Sequence, residues 1–291
     1  MIRRLKYEEI DFEKFRNCVD HSSQKNFYAQ KEVLDFLTEN WELLVWKNYE
    51  VVMPIPVQKK YSFTFVVMPL FCQQLGIFGN NSEEINQAFL QFLKKKYRIV
   101  NYQFNYQNRF SEKLPLKKNH IINTTEYPLL RKKYFKGRKS TVKSAQNLNY
   151  SEEKLTPEIL NFIKLNFKGL DKISDQEKFS LYIKNLEKRG LLKLFSAKLN
   201  HEILSLAIIT ESNNEFSLLG LVNDKKSKDK NGASFLIDRI LKENIHEKSF
   251  NFMGGNIRGQ EVFFKSFGAE LQEFPFIQDR WKDLILKIFI K

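Results

Sequence analysis

The chain is poor in the residues that would place it in a specialised class. Its 291 residues include only 11 glycines, 7 prolines and 2 cysteines. So little glycine and proline excludes collagen-like, mucin-like and broadly disordered chains. Cys18 and Cys72 form no Cys-x-x-Cys pair, which excludes a disulfide framework; both read as buried free thiols. Long apolar runs are missing too. The longest, such as Phe63–Phe71, stop far short of the ~20 residues that a spanning helix needs. The N-terminus, Met1-Ile2-Arg3-Arg4-Leu5-Lys6, lacks an apolar core and a small-residue cleavage site, so the chain is expected to start here and stay in the cytoplasm. His21, His120, His201 and His246 show no metal-ligand spacing, and no Gly-x-Ser-x-Gly elbow is present. No metal and no serine hydrolysis are expected.

Acidic residues are scarce in one region. Residues 94–143 hold fifteen Lys or Arg against Glu112 and Glu126, a net of +13 out of +14 for the whole chain. Such a stretch favours a partner with phosphates or carboxylates. Tyr97, Tyr102, Phe104, Tyr106, Phe110, Tyr127, Tyr134 and Phe135 are interleaved with the charges, as base stacking would require. A solvated basic surface is the plain alternative.

A chain of this length suggests two domains, and the sequence repeats itself. Trp41–Val57 and Leu192–Ile209 both read as strand, polar turn, strand, with Asn48-Tyr49-Glu50 matching Asn200-His201-Glu202. Gln74-Leu75-Gly76-Ile77 is paired with Leu218-Leu219-Gly220-Leu221. Helical spacing follows in each half, at Ile85, Ala88, Phe89 and Phe92, and at Phe235, Leu236, Ile240 and Ile245. Val100–Phe104 then matches Phe250–Met253. Four elements thus recur in order, at offsets of 144–152 residues.

This predicts two copies of one α+β unit, each a mixed, largely antiparallel sheet flanked by helices. The expected division is 1–130 and 131–275, with segment 276–291 completing the first domain. Trp281–Lys291 has helical apolar spacing and is expected to pack back on the first half. Pro54 and Pro56 should put strand 51–57 at an edge or in a bulge.

Two stretches carry candidate chemistry. Lys230-Asn231-Gly232-Ala233-Ser234 follows a strand and opens a helix, where small residues and first-turn amides suit a pyrophosphate. An ordinary loop and N-cap would look the same. In the first half, Glu83 and Glu84 at the matching place would repel phosphate. The second stretch runs from Phe252-Met253-Gly254-Gly255 to Phe263-Phe264-Lys265-Ser266-Phe267-Gly268-Ala269. Glycines at both ends of a short apolar helix suggest a shelf beside a cleft.

The second stretch resembles the C-terminal signature of the Fem-type aminoacyltransferases, tandem-domain relatives within the GNAT N-acyltransferase superfamily. Arg138–Ala145 is similar to the basic helix that begins the second domain there, and Asn231-Gly232-Ala233 falls where the superfamily's phosphate loop would lie. The overlap covers about residues 130–275 by motif. No long charged heptad pair is present, so the Fem coiled-coil insertion is absent.

The resemblance implies two tandem GNAT-like domains and transfer of an acyl or aminoacyl group to an amine. The co-substrate would be acyl-CoA or aminoacyl-tRNA, with no tightly bound cofactor, and the acceptor a cell-wall precursor or related metabolite. Lys265 would stabilise the tetrahedral oxyanion. Gly254, Gly255, Phe264, Phe267, Arg138 and Lys139 would contact substrate. Glu202, Glu261, Tyr182 and His201 are candidate proton acceptors, with Glu202 preferred. The alternative is a non-catalytic binder of RNA or another polyanion on the same duplicated fold.

Overall fold

The computed structural model describes every residue except 61, 62, 171, 213, 281, 283 and 285–291, and all side chains among the described residues except that of Lys228. The chain forms two compact units. The first is Met1–Lys117 together with the segment that starts at Glu273; the second is Lys118–Gln272.

Unit 1 runs β1 (Ile2–Leu5), α1 (Phe12–Asp20), α2 (Lys31–Leu37), β2 (Trp41–Trp46), β3 (Val51–Lys60), β4 (Phe63–Val67), β5 (Phe78–Gly79), α3 (Glu83–Lys96) and β6 (Arg98–Gln103). Local chemistry sets these bounds. Asp11 caps α1 by accepting from Lys14 N–H, and Ser82 caps α3 by accepting from Ile85 N–H. Glu83 and Glu84 open α3 and Lys94–Lys96 close it, each complementing the helix dipole. The sheet order is β1-β2-β3-β4-β6, then Phe276–Ile277, with β5 beside β3. Among the described residues of this unit, only β4 and β6 run parallel, joined over α3.

Strand β3 is interior, contrary to the expectation from its prolines. Pro54 and Pro56 pair with Leu43 and Trp41 of β2, while on the other side β5 covers only Val51–Val52 and β4 starts at Val57. The positions without an N–H fall where one neighbour has ended and the next has not begun.

Unit 2 contains β7 (Leu116–Ile122, of which Lys118 onward belongs to this unit), α4 (Tyr127–Lys133), α5 (Lys136–Ser144), β8 (Asn149–Glu153), α6 (Pro157–Asn166) and α7 (Ile173–Lys188). Then come β9 (Leu192–Leu199), β10 (Glu202–Glu211), β11 (Glu215–Asn223), α8 (Gly232–Asn244), β12 (Ser249–Asn251), α9 (Arg258–Lys265) and β13 (Glu270–Ile277), whose end joins unit 1. The sheet order is β8-β9-β10-β11-β12-β7. Again one step is parallel, β11 to β12, joined over α8. The β9–β10 hairpin turns on Asn200 and His201, both at positive φ, which suits a two-residue connection. Its core packs Phe216, Leu218 and Phe250 of the sheet against Phe235, Leu236 and Ile240 of α8.

Both units therefore share one plan: strand, two helices, three antiparallel strands, a helix and a parallel strand. Starts of β2 and β9, β3 and β10, β4 and β11, α3 and α8, and β6 and β12 are 151, 151, 152, 149 and 151 residues apart. The expected pairing of Gln74–Ile77 with Leu218–Leu221 was wrong. Gln74–Ile77 is irregular, and the counterpart of β11 is β4. The apolar run 75–77 reads as a strand because it is buried; beyond the bond from Leu75 N–H to Gln103 C=O at 3.0 Å, side chains serve its backbone. Asn108 serves the Ile77 N–H and C=O, and the Tyr102 hydroxyl accepts from Gly76 N–H at 3.0 Å and donates to Pro54 C=O at 2.9 Å.

Tyr102 is fully buried. Replacing it with Phe leaves these backbone groups unpaired, and urea unfolding is expected to show a loss of about 1–3 kcal/mol. An unchanged midpoint would show the hydroxyl to be dispensable. Of the expected C-terminal helix, only Lys282 and Leu284 are among the described residues.

Candidate active site

The parallel strands of unit 2 part. β12 pairs with β11 only over Glu215–Ser217, yet β11 continues to Asn223. Beyond that point the chain of β12 follows β7, where Phe252 N–H donates to His120 C=O at 2.9 Å. Asn119 Oδ1 holds Gly254 N–H at 3.1 Å, and Gly254 C=O accepts from His120 Nδ1 at 3.1 Å. Asn256 bonds both backbone groups of Lys118. Among the described residues, one edge of β11 is thus left without a strand partner from Leu218 on. Leu219 forms a bulge there, shifting the register between Ile209↔Leu218 and Ile208↔Gly220. This is a backbone edge against which an extended donor could lie.

The turn between β12 and α9 requires unusual dihedrals, with Met253 at φ 58° and Gly255 at φ 138°. It leads into α9, whose last turn presents Lys265. Lys265 Nζ donates to Glu261 at 2.6 Å, and Lys118 Nζ reaches the same carboxylate at 3.1 and 3.2 Å. Two ammonium groups thus share one acid.

No protein-family model and no curated protein sequence matches this chain. Solved structures do. FemX matches with a TM-score of 0.66 at 12% identity, over 98% of this chain and 99% of that one. The L-PGS structure from Bacillus licheniformis matches with a TM-score of 0.54 at 12% identity, over 96% and 95%. A tandem GNAT protein from the clavulanic acid biosynthesis pathway gives 0.53 at 8% identity, over 95% and 97%. The fold is the tandem GNAT fold. The two units share one order of their common elements, each with one parallel step among the described residues.

Within the second GNAT unit, the residues singled out from sequence fall into separate places. Asn231 takes the left-handed conformation at φ 58° and starts α8. A Cβ on Gly232 would stand 2.6 Å from Ser205 Oγ, so only glycine lets α8 begin this close to β10. The Ser234 hydroxyl is bonded by the Arg138 guanidinium, Asn231 Nδ2 donates to Ser144 at 3.2 Å, and exposed Lys230 pairs with Asp229.

Arg138 also donates from Nε to Ser266 at 2.8 Å and stacks on Phe263 and Phe267 at 4.4 and 4.6 Å. Burial holds its pKa below the usual arginine value. It is a hub tying α5, α8 and α9 together. Lys139 points elsewhere, to Lys132 C=O at 3.2 Å. Phe264 and Phe267 are core residues: Phe264 stacks on Phe252 at 4.4 Å, and Phe267 packs on Tyr134 at 5.2 Å. Glu202 is exposed at the β9–β10 turn, and no hydrogen bond or ion pair joins it to Lys265.

The basic stretch is divided, since residues 94–117 lie in unit 1 and 118–143 in unit 2. Lys94 pairs with Glu112, Lys133 with Glu270 and Lys118 with Glu261. Tyr97, Tyr102, Phe104 and Tyr134 are buried, so these rings are not available for base stacking.

Two polar groups escaped sequence reasoning. The Glu215 carboxylate accepts from Ser217 Oγ at 2.6 Å and Asn251 Nδ2 at 3.2 Å, where β11 and β12 are still paired; burial raises its pKa. His120 is fully buried against the 253–256 turn, and its Nε2 has no hydrogen-bond partner among the described residues. The partners Asn251 of Glu215 and Gly254 of His120 lie 36 and 134 residues away, so only alternation along β11 and β7 could have flagged them.

The ion pairs with Lys265 and Lys118 pull the Glu261 pKa down to about 2. A depressed carboxylate pKa favours folding above its unfolded value, and that contribution is lost as the pH falls towards 2. NMR titration of the Glu261 side chain is expected to show a midpoint well below that of an unpaired glutamate, moving up in Lys265→Ala. An ordinary midpoint in the wild type would contradict the shared ion pair.

Proposed function

We propose that the protein is an N-acyltransferase that moves an acyl or aminoacyl group from an activated donor to an amine. The donor is acyl-CoA or an aminoacyl-tRNA, and the acceptor a cell-wall precursor or related metabolite. The observation that carries this reading is the parting of β11 from β12 beside a bulge at Leu219. Similarity to FemX and a tandem GNAT protein supports the same chemistry.

In this reaction the amine nitrogen attacks the donor carbonyl carbon. A C–N bond forms, the thioester C–S or ester C–O bond breaks, and the proton lost by nitrogen ends on the leaving sulfur or oxygen. The protein must align the partners, take the proton and stabilise the oxyanion. Lys265 supplies the positive charge. Lys230–Ser234 hold the donor phosphate, with Arg138 fixing the helix start, and Gly254–Gly255 line the substrate path. Glu215, whose pKa burial raises, joins Glu202 as a candidate proton acceptor.

The test is mass spectrometry of amine acceptors incubated with the chain and a panel of acyl-CoAs and aminoacyl-tRNAs. A donor-dependent product is expected, together with thermal protection by that donor. Of Glu202→Gln and Glu215→Gln, the variant lacking the base should lose the rise of kcat with pH. RNA binding that weakens steeply with salt, without turnover, would favour the polyanion-binding reading instead.

A further inference from the structure

Unit 2 carries an open groove of about 540 Å³ between α4, α5 and α8. Its walls hold Arg131 from α4, Lys139 and Lys143 from α5, and Arg239 and Lys242 from α8, against a single carboxylate, Asp238. That acid is already engaged. It is 4% exposed, the Tyr127 hydroxyl donates to it at 2.8 Å, and Arg131 stands 3.7 Å away. Arg131 Nη1 is buried without a hydrogen bond among the described residues. Arg239 pairs with Glu243 at 3.1 Å. Lys143 and Lys242 have no hydrogen-bond or ion-pair partner among the described residues, and both are exposed. Five cations around one shielded carboxylate repel one another, and an entering anion relieves that repulsion.

We propose that this groove binds an oligophosphate, the di- or triphosphate group of a small molecule, at a site separate from the donor loop. Charge selects the ligand class. Five cations, less Asp238 and the Glu243 that pairs with Arg239, leave three positive charges, which match the several negative charges of a di- or triphosphate, whereas one phosphate would leave the opposed lysines of α5 and α8 uncompensated. Size agrees, since the volume lies in the range of small-molecule sites. The chemistry also agrees. Guanidinium groups grip phosphate oxygens in pairs, and lysines act as movable point charges. A single-stranded RNA fits less well. The walls offer one aromatic ring, Tyr127, and its hydroxyl is committed to Asp238, so there is no row of platforms for successive bases.

The experiment is calorimetric titration of the full chain with inorganic tripolyphosphate at low salt. Saturable one-to-one binding is expected, weakening as salt rises. The double variant Lys143→Gln/Lys242→Gln should bind about tenfold more weakly or worse, the loss of about 1.4 kcal/mol or more. Its unfolding temperature without ligand should not fall, because both side chains are exposed and give up no hydrogen bond or ion pair among the described residues. Lys143→Arg/Lys242→Arg should retain binding. Absence of saturable binding overturns the proposal, as does equal affinity in the Gln double variant. Binding of a short RNA without binding of tripolyphosphate overturns it as well.

Discussion

Lys265→Ala is expected to lower kcat by about 10²–10³-fold, the usual cost of removing one oxyanion donor. The fold should survive the change. Lys265 is partly exposed in the last turn of α9, alanine suits a helix, and the ion pair it loses is a surface pair worth about 0–1 kcal/mol. The substitution therefore separates chemistry from stability. Steady-state kinetics with the donor identified by mass spectrometry provide the readout, alongside a melting curve. Lys265→Arg should keep part of the rate, since the charge remains while its position shifts. A kcat within twofold of wild type for Lys265→Ala would remove this residue from the mechanism.

Gly255→Ala is expected to be the most damaging single methyl addition in unit 2. Gly255 sits at φ 138°, where side-chain-bearing residues are strained, and an added Cβ would stand 2.3 Å from His120 Nδ1 and 2.6 Å from Cε1. The ring cannot yield easily, because it is fully buried and holds Gly254 C=O. Overpacking costs about 1–3 kcal/mol and backbone strain about 1–3 kcal/mol more. A total near 3 kcal/mol would lower Tm by about 6–12 °C for a unit of this size. Differential scanning calorimetry checks it, and Gly255→Ala/His120→Ala should be less damaging than the two single losses added. Gly259, inside α9 with nothing within 4 Å of its would-be Cβ, is the contrast. Its replacement by Ala should be stabilising by up to about 1 kcal/mol. Equal effects at both glycines would show that His120 does not confine the turn.

The Asn200–His201 turn was legible because a two-residue hairpin needs positive φ and alternating apolar strands on both sides. Gly232 is expected from sequence to let backbone amides approach a ligand; the close approach the fold shows there is to Ser205 of β10, which sequence did not reveal. Gln74–Ile77 was misread because burial makes irregular backbone look like a strand, and the Asn108 and Tyr102 side chains that satisfy it lie 26 or more residues away. Phe264 and Phe267 looked like a shelf facing substrate, yet their spacing reflects packing against Phe252 and Tyr134. Arg138 is expected from sequence to contact substrate; in the fold its guanidinium bonds Ser234 and Ser266 and stacks on Phe263 and Phe267, partners that its sequence neighbours do not reveal.

The order of amino acids by itself determined the duplication, the α+β class and the helix and hairpin boundaries. Those features rest on periodicity, caps and turn dihedrals, which act over a few residues. Tertiary structure alone decided where β11 and β12 part, which acid Lys265 and Lys118 share, and that five cations converge on one groove. Each of these joins residues far apart along the chain, and their distance in space is fixed only when strand register and helix packing are complete.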